Sequence, residues 1–275
     1  MHNYGEITAL VTGASSGIGE AIARSLALRG ASGLVLAARS AERLEALARE
    51  IRAAHGTAVA VVPVDLSDPD APGRLKAETD RRGLTVDLLV NNAGFGSHGP
   101  FEARDPRREA DMVAVNVAAV VGLTRAYLPG IVAVGRGGVL NVASTAGFQP
   151  TPYMTTYGAT KAFVLSFTEA LWAEMRDQGH RGVRVCCLCP GATATEFGAN
   201  VGAARGKFER VPESTAAAVA EAGLDAWERG APSVIVGRAN AAGAFLTRFA
   251  PRVAVARAAA AFLRPEAAPA APAAT

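Results

Sequence analysis

The sequence predicts an α/β fold, a single doubly wound parallel sheet of Rossmann type with helices on both faces. Three observations predict it. Apolar, β-branched runs recur along the 275 residues with helical patterns between them, the alternation that builds parallel sheets through right-handed crossovers. The runs are hydrophobic nearly throughout, as expected of strands covered on both faces. The first run leads directly into a glycine-rich turn and an amphipathic helix, "ALVTGASSGIGEAIARSLALRG".

Taken in order, strands are expected at "ITALVT", "GLVLAAR", "TAVAVVPVD", "VDLLVNN", "GGVLNVAS", "GVRVCCLC" and "PSVIVG". The segment "SAERLEALAREIRAAHG" puts Leu44, Leu47, Ala48 and Ile51 on one helical stripe and ends at Gly56, suited to a left-handed C-cap. Further helices are expected over Glu109–Leu128, Thr156–Met175 and Ser214–Arg229. The chain shows no internal repeat, and no linker precedes its Pro/Ala-rich end.

Half of the residues are hydrophobic and 19% are charged, so a large buried core is expected. The net charge of +3 comes from scattered arginines, without the concentrated basic and aromatic patch of a nucleic-acid binder, so no nucleic-acid partner is expected. The first residues lack a basic region followed by an apolar core, and the apolar run Met112–Thr124 contains Asn116 and is shorter than the roughly 18 residues of a membrane span. A cytoplasmic protein is therefore expected. Cys186, Cys187 and Cys189 alternate in one apolar run, which reads as packed core thiols and not as a metal site.

Gly13, Gly17 and Gly19 let a backbone approach a pyrophosphate closely, and the helix that follows offers free N–H groups to hold it. The spacing is Gly-x-x-x-Gly-x-Gly. With "TGASSGIG" at this turn, "NNAG" at Asn91–Gly94, and Asn116, Ser144, Tyr157 and Lys161 in order behind them, the sequence resembles the short-chain dehydrogenase/reductase family from about Ile7 to Gly237. The resemblance implies nicotinamide-dinucleotide contacts through Gly13, Ser15, Ser16, Gly17, Ile18 and Gly19, through Asp65 and Leu66, and through Asn92, Ala93 and Gly94. It also implies contacts from Pro190, Gly191, Thr193 and Thr195, and from Tyr157 and Lys161. It further implies a homodimer or homotetramer.

The end of the second strand bears on which dinucleotide fits. NAD enzymes place a carboxylate about 20 residues past the turn to bind the ribose 2′-hydroxyl. Here "LAARS" brings Arg39, which can grip a 2′-phosphate, and Ser40, so NADP(H) is expected. Asp65 either contacts the adenine, as the resemblance implies, or caps the next helix.

In "TPYMTTYGATK", Tyr157 and Lys161 are four residues apart on one helix face. A phenol with a pKa near 10 does little proton transfer at pH 7, and a neighbouring ammonium is expected to lower that value. Ser144 ends a parallel strand, where open α/β sheets bind ligands. The resemblance gives Ser144 the substrate oxygen, Tyr157 the proton, Lys161 the nicotinamide ribose, and Asn116 a water chain to the lysine. Asn116 alternatively is a core amide satisfied by backbone. Tyr153, with no lysine four residues on, is expected to line the substrate pocket, Phe197–Val211 to form a lid, and His98 either to face substrate or to be merely exposed.

The expectation is an NADP(H)-dependent oxidoreductase acting on a small-molecule carbonyl or alcohol, with a non-catalytic dinucleotide-binding sensor as the other reading. It divides into a dinucleotide-binding and catalytic domain (1–240), a C-terminal basic amphipathic segment (241–264) and a disordered Pro/Ala tail (265–275). Between Glu228 and Glu266 there are six arginines and no acid. The segment is expected either to pack on the sheet edge or a subunit interface, or to touch an anionic membrane surface weakly.

Overall fold

The computed structural model describes residues 4–201 and 214–265. Seven parallel strands form the central sheet: β1 (Thr8–Thr12), β2 (Gly33–Ala38), β3 (Ala58–Pro63), β4 (Leu88–Asn91), β5 (Gly137–Val142), β6 (Val183–Cys189) and, after a two-stranded ribbon of β7 (Thr193–Ala194) and β8 (Ser214–Thr215), β9 (Ser233–Ile235). Their spatial order is β3-β2-β1-β4-β5-β6-β9. Val11 of β1 lies opposite Leu36 on one side and Val90 on the other. The order reverses between β1 and β4, so a crevice opens beyond their carboxyl ends.

The near-continuous apolar strands are covered on both faces. On one face α1 (Gly17–Leu28), α2 (Ala41–His55) and α8 (Ala216–Glu228) bury Ile22, Leu26, Leu44, Ile51 and Trp227. On the other, α3 (Ala71–Arg81), α5 (Ala119–Val134) and α6 (Thr155–Asp177) bury Leu75, Leu123, Tyr127, Ile131 and Met175. The helix read from Leu44, Leu47, Ala48 and Ile51 ends as expected at Gly56, which has φ 67°, and it starts behind Ser40, whose hydroxyl accepts from Arg43 N. Cys186, Cys187 and Cys189 are buried free thiols.

The helix expected over Glu109–Leu128 differs. It starts earlier, as α4 (Pro106–Val113) capped by Asp105, widens into a π turn over Ala114–Ala118, and continues as α5 with Pro129 inside it. One inserted residue barely alters an apolar period near 3.6, so the sequence pattern hides it. The continuous helical run Pro106–Val134 contains an 18-residue window of mean hydropathy 1.7, by length and composition enough to cross a membrane, which the shorter stretch read from sequence missed. One face of its α5 half nevertheless packs into the core under the sheet.

After β9 the chain forms α9 (Arg238–Leu246), a 3-10 turn (Thr247–Phe249) and α10 (Arg252–Leu263). Pro251 restarts the helix, having no N–H and a fixed φ. The segment 241–264 packs near β9 and over the crevice. The expected tail from 266 onward lies outside the described residues, as does the part of the expected lid beyond Val201.

Candidate active site

The glycine turn after β1 closes on the chain after β4. Gly13 and Gly17 adopt φ of 64° and 59°, and a Cβ on Gly19 would stand 2.3 Å from the Gly13 carbonyl oxygen. Thr12 stitches the two segments: its hydroxyl donates to the Val90 carbonyl at 3.2 Å and accepts from Asn92 N at 3.0 Å and Ala93 N at 3.1 Å. Asn92 Nδ2 returns a bond to the Thr12 carbonyl at 2.9 Å. Sequence reading missed Thr12, whose only signal is its place between the strand and the glycine turn. Ser15, Ser16, Gly17 and Ile18 line the cleft. Ser16 at the N-cap makes no side-chain capping bond, so the first N–H groups of α1 are left for an anion. A dinucleotide pyrophosphate fits this cradle.

Arg39 is exposed at the end of β2 and lines the cleft with Ser40 and Arg43. Arg43, missed from sequence because it reads as a solvated helix position, donates to Glu196 at 2.8 Å, joining the start of α2 to the opposite wall. Asp65 also lines the cleft, but it does not cap α3, which begins behind Asp70. Its carboxylate accepts from Ser67 N at 3.0 Å and Ser67 Oγ at 2.8 Å, closing its own turn; these bonds and nearby Arg39 hold it below its ordinary pKa. Leu66 is buried behind it and reaches the cleft.

Ser144 follows β5 at the head of a 3-10 turn, its Oγ accepting from Ala146 N at 3.1 Å and donating to the Pro190 carbonyl at 3.5 Å. Tyr157, in the first turn of α6, is buried, and burial pushes its phenol up to about 12; a hydrogen bond with Ser144 works against that rise. Lys161 lies one turn further, also buried, its Nζ donating to the Val142 carbonyl at 2.8 Å and standing 5.8 Å from the Tyr157 ring centre. Burial brings Lys161 down to about 8. Desolvation thus leaves the phenol above its ordinary value in the protein itself, where a lowering by the lysine was expected.

Asn116 sits on the π turn. Its Nδ2 donates to the Phe95 carbonyl and to Thr160 Oγ1, both at 3.0 Å, and its Oδ1 accepts from Phe95 N at 3.2 Å. These bonds satisfy the Asn116 amide and tie the "NNAG" loop to α6. A Cβ on Gly94 would meet Asn116 Oδ1 at 3.0 Å and Lys161 Nζ at 3.4 Å. Pro190, Gly191, Thr193 and Thr195 form the opposite wall, with Ala93 and Gly94 facing them across the cleft. The threonine hydroxyls are used locally: Thr193 donates to the Gly191 carbonyl at 3.1 Å, and Thr195 donates to the Thr193 carbonyl at 3.4 Å.

Beyond Tyr157 the cleft is apolar, walled by Met154, Phe95, Ala146, Val201 and Phe197, whose ring stands 5.3 Å from that of Tyr157. Phe197 and Val201 belong to a short helix, α7 (Phe197–Val201). Tyr153 does not line the cleft; it takes φ 64°, and Met154 faces the pocket in its place. His98 is bonded through Nε2 to the Leu263 carbonyl at 2.8 Å, at the end of α10. The C-terminal segment thereby roofs the cleft with Leu246, Ala250, Ala254, Ala258 and Leu263. The cleft, open to solvent along one side, has a volume of about 2480 Å³, ample for a dinucleotide and a second molecule.

The family model for short chain dehydrogenases matches residues 7–206. A very-long-chain 3-oxoacyl-CoA reductase of Anas platyrhynchos is 38% identical over 176 residues, which are 62% of this chain and 55% of that protein. The chain thus spans little more than half of that relative. Among solved structures, a short-chain dehydrogenase from Sphingobium yanoikuyae in complex with NADPH is 32% identical, with a TM-score of 0.78 over 89% of this chain and 94% of that one. A short chain dehydrogenase/reductase from Burkholderia phymatum in complex with NAD is 27% identical, with a TM-score of 0.79 over 90% of this chain and 95% of that one. With its glycine turn, its seven-stranded sheet and a family match over most of its length, the chain belongs to the short-chain dehydrogenase/reductase family.

Proposed function

We propose that the protein is an NADP(H)-dependent oxidoreductase that interconverts a carbonyl and an alcohol. One observation carries this reading: Ser144, Tyr157 and Lys161 converge where the dinucleotide cradle meets an apolar pocket. The N-terminus of α1 would hold the pyrophosphate, Arg39 and Arg43 a 2′-phosphate, and Lys161 the ribose. Nicotinamide supplies or accepts the hydride when bound. Ser144 Oγ orients the substrate oxygen, and Tyr157 Oη gives that oxygen its proton during reduction and takes it back during oxidation. A phenol raised to about 12 is protonated at pH 7, the form that reduction requires.

The relatives in complex with NADPH and with NAD leave the choice of dinucleotide to this chain's own residues, and Arg39, without a carboxylate beside it on the strand end, supports NADP(H). The apolar walls support an uncharged, bulky carbonyl compound, and a long acyl chain of the kind named for the Anas relative matches that chemistry. No observation favours the non-catalytic sensor.

The test is oxidation of NADPH across a panel of apolar ketones by the wild type and by Tyr157→Phe. Turnover in the variant is expected to fall at least about 10²-fold, the scale of lost acid/base help, with NADPH binding retained. Near-normal kcat in Tyr157→Phe overturns the assignment.

A further inference from the structure

The roof of the cleft has two unlike sides. Toward the cleft it shows small and aliphatic residues, Leu246, Ala250, Ala254 and Ala258 among them. Away from it, Phe245, Phe249 and Val253 are 57%, 72% and 63% exposed, and Leu246, at the rim, is 64% exposed. Phe245 and Phe249 stand edge to face with centroids 5.1 Å apart, a contiguous aromatic pair held in water. Soluble surfaces seldom leave such a patch uncovered.

The charges around the patch narrow what covers it. Arg248 and Arg252 are exposed between these apolar side chains, with Arg257 and Arg264 further along α10, and none pairs with a carboxylate among the described residues. No acid occurs from Arg229 to Pro265. A second copy of the chain docked by the same patch would bring two cationic faces together, whereas an anionic lipid surface satisfies both the arginines and the aromatic side chains.

We propose that the α9–α10 segment docks the protein on an anionic bilayer, with Phe245, Phe249 and Val253 entering the interface and Arg248 and Arg252 meeting the headgroups. Leu246 belongs both to the exposed rim and to the cleft lining, so docking sets the mouth of the pocket against the bilayer. A lipophilic substrate then passes into the cleft without crossing water. The docking does not depend on the catalytic reading, and sedimentation reads it without any turnover.

The experiment is co-sedimentation of the full-length protein with phosphatidylcholine vesicles, with and without phosphatidylserine. Binding is expected with phosphatidylserine at low salt. It is expected to fall at least about tenfold in pure phosphatidylcholine, and likewise near 1 M salt, where the screening length shrinks to about 3 Å. The double variants Phe245→Ser/Phe249→Ser and Arg248→Glu/Arg252→Glu alter exposed side chains outside the cleft lining. Each is expected to lose binding by at least about tenfold while dinucleotide binding and Tm stay unchanged. The proposal is overturned if the wild type stays in the supernatant at low salt, as it would were residues 202–213 to cover the patch. It is equally overturned if both doubles still sediment, or if light scattering shows a dimer that Phe245→Ser/Phe249→Ser dissociates.

Discussion

Lys161 is 5% exposed, and its ammonium donates to a single carbonyl, that of Val142. Burial holds its pKa at about 8 against an ordinary 10.5, so the folded protein disfavours the charged form. Below about pH 8 the lysine is charged both folded and unfolded, and folding bears the full cost, on the order of 3 kcal/mol. Between about 8 and 10.5 the folded lysine is already neutral, and the cost shrinks to nothing. Lys161→Met is therefore expected to raise stability near pH 7 in the ligand-free protein while depressing turnover, and the gain over wild type should fade as pH rises to about 10.5. Thermal melts of both proteins across that range check it; a gain that does not change with pH contradicts it. Arg39 bears on recognition instead. If its guanidinium grips the 2′-phosphate, Arg39→Asp should weaken NADPH by a few kcal/mol and NADH much less, measured as paired dissociation constants.

At the scale of elements, the first turn of α6 is fastened from outside the helix. Glu109 in α4 accepts hydrogen bonds from Ser97 Oγ at 2.5 Å and from Thr156 Oγ1, and pairs with Arg104 at 3.4 Å. Arg104 in turn donates to the Gly99 carbonyl at 2.7 and 3.1 Å, and Gly99 N donates to the carbonyl of Tyr153, whose φ of 64° sets the chain's entry into the helix. Burial raises the Glu109 pKa, but Ser97, Thr156 and Arg104 together hold it below the ordinary carboxylate value. Glu109→Ala leaves the Arg104 guanidinium, whose side chain is 6% exposed, without its carboxylate. The expected loss is about 3–5 kcal/mol in urea unfolding, with kcat lowered more than KM is raised because the turn carrying Tyr157 loosens. Glu109→Gln keeps an acceptor oxygen for one of the two hydroxyls, which donate to different carboxylate oxygens, and should recover part of both losses. Equal stability of Glu109→Ala and wild type counts against this clamp.

At the scale of the whole molecule, the cleft joins parts far apart in sequence. Its floor comes from the strand ends up to Gly191, and its roof from α9 and α10 near the other end of the chain. Ala254 and Ala258 are four residues apart on α10 and both line the cleft, so their small side chains leave room under its roof. Ala258→Trp is expected to raise KM for large apolar ketones by at least about tenfold while leaving small ones nearly unchanged, since a filled cavity rejects by volume. Steady-state kinetics on a large and a small ketone decide it; equal changes for both mean that the roof does not select.

Patterns made by neighbours along the chain were legible before any coordinates. The seven strands, the Gly56 cap, the glycine turn, and the shared face of Tyr157 and Lys161 follow from period, propensity and cap chemistry, which operate over a few residues. Quantities set by residues distant in sequence were not. The rise of the Tyr157 phenol depends on how deeply the pocket desolvates it, and the bonding of Asn116 depends on Phe95 and Thr160. Glu109 reads as a solvated helix-start carboxylate until Ser97, Thr156 and Arg104 close around it. The amphipathic pattern of the C-terminal segment announced an apolar face and a basic one, but a helix pattern does not say what each face meets. Tertiary packing alone turned the alanines of α10 toward the cleft and left Phe245 and Phe249 in solvent, because burial and desolvation are fixed by contacts that close only when the two ends of the chain meet.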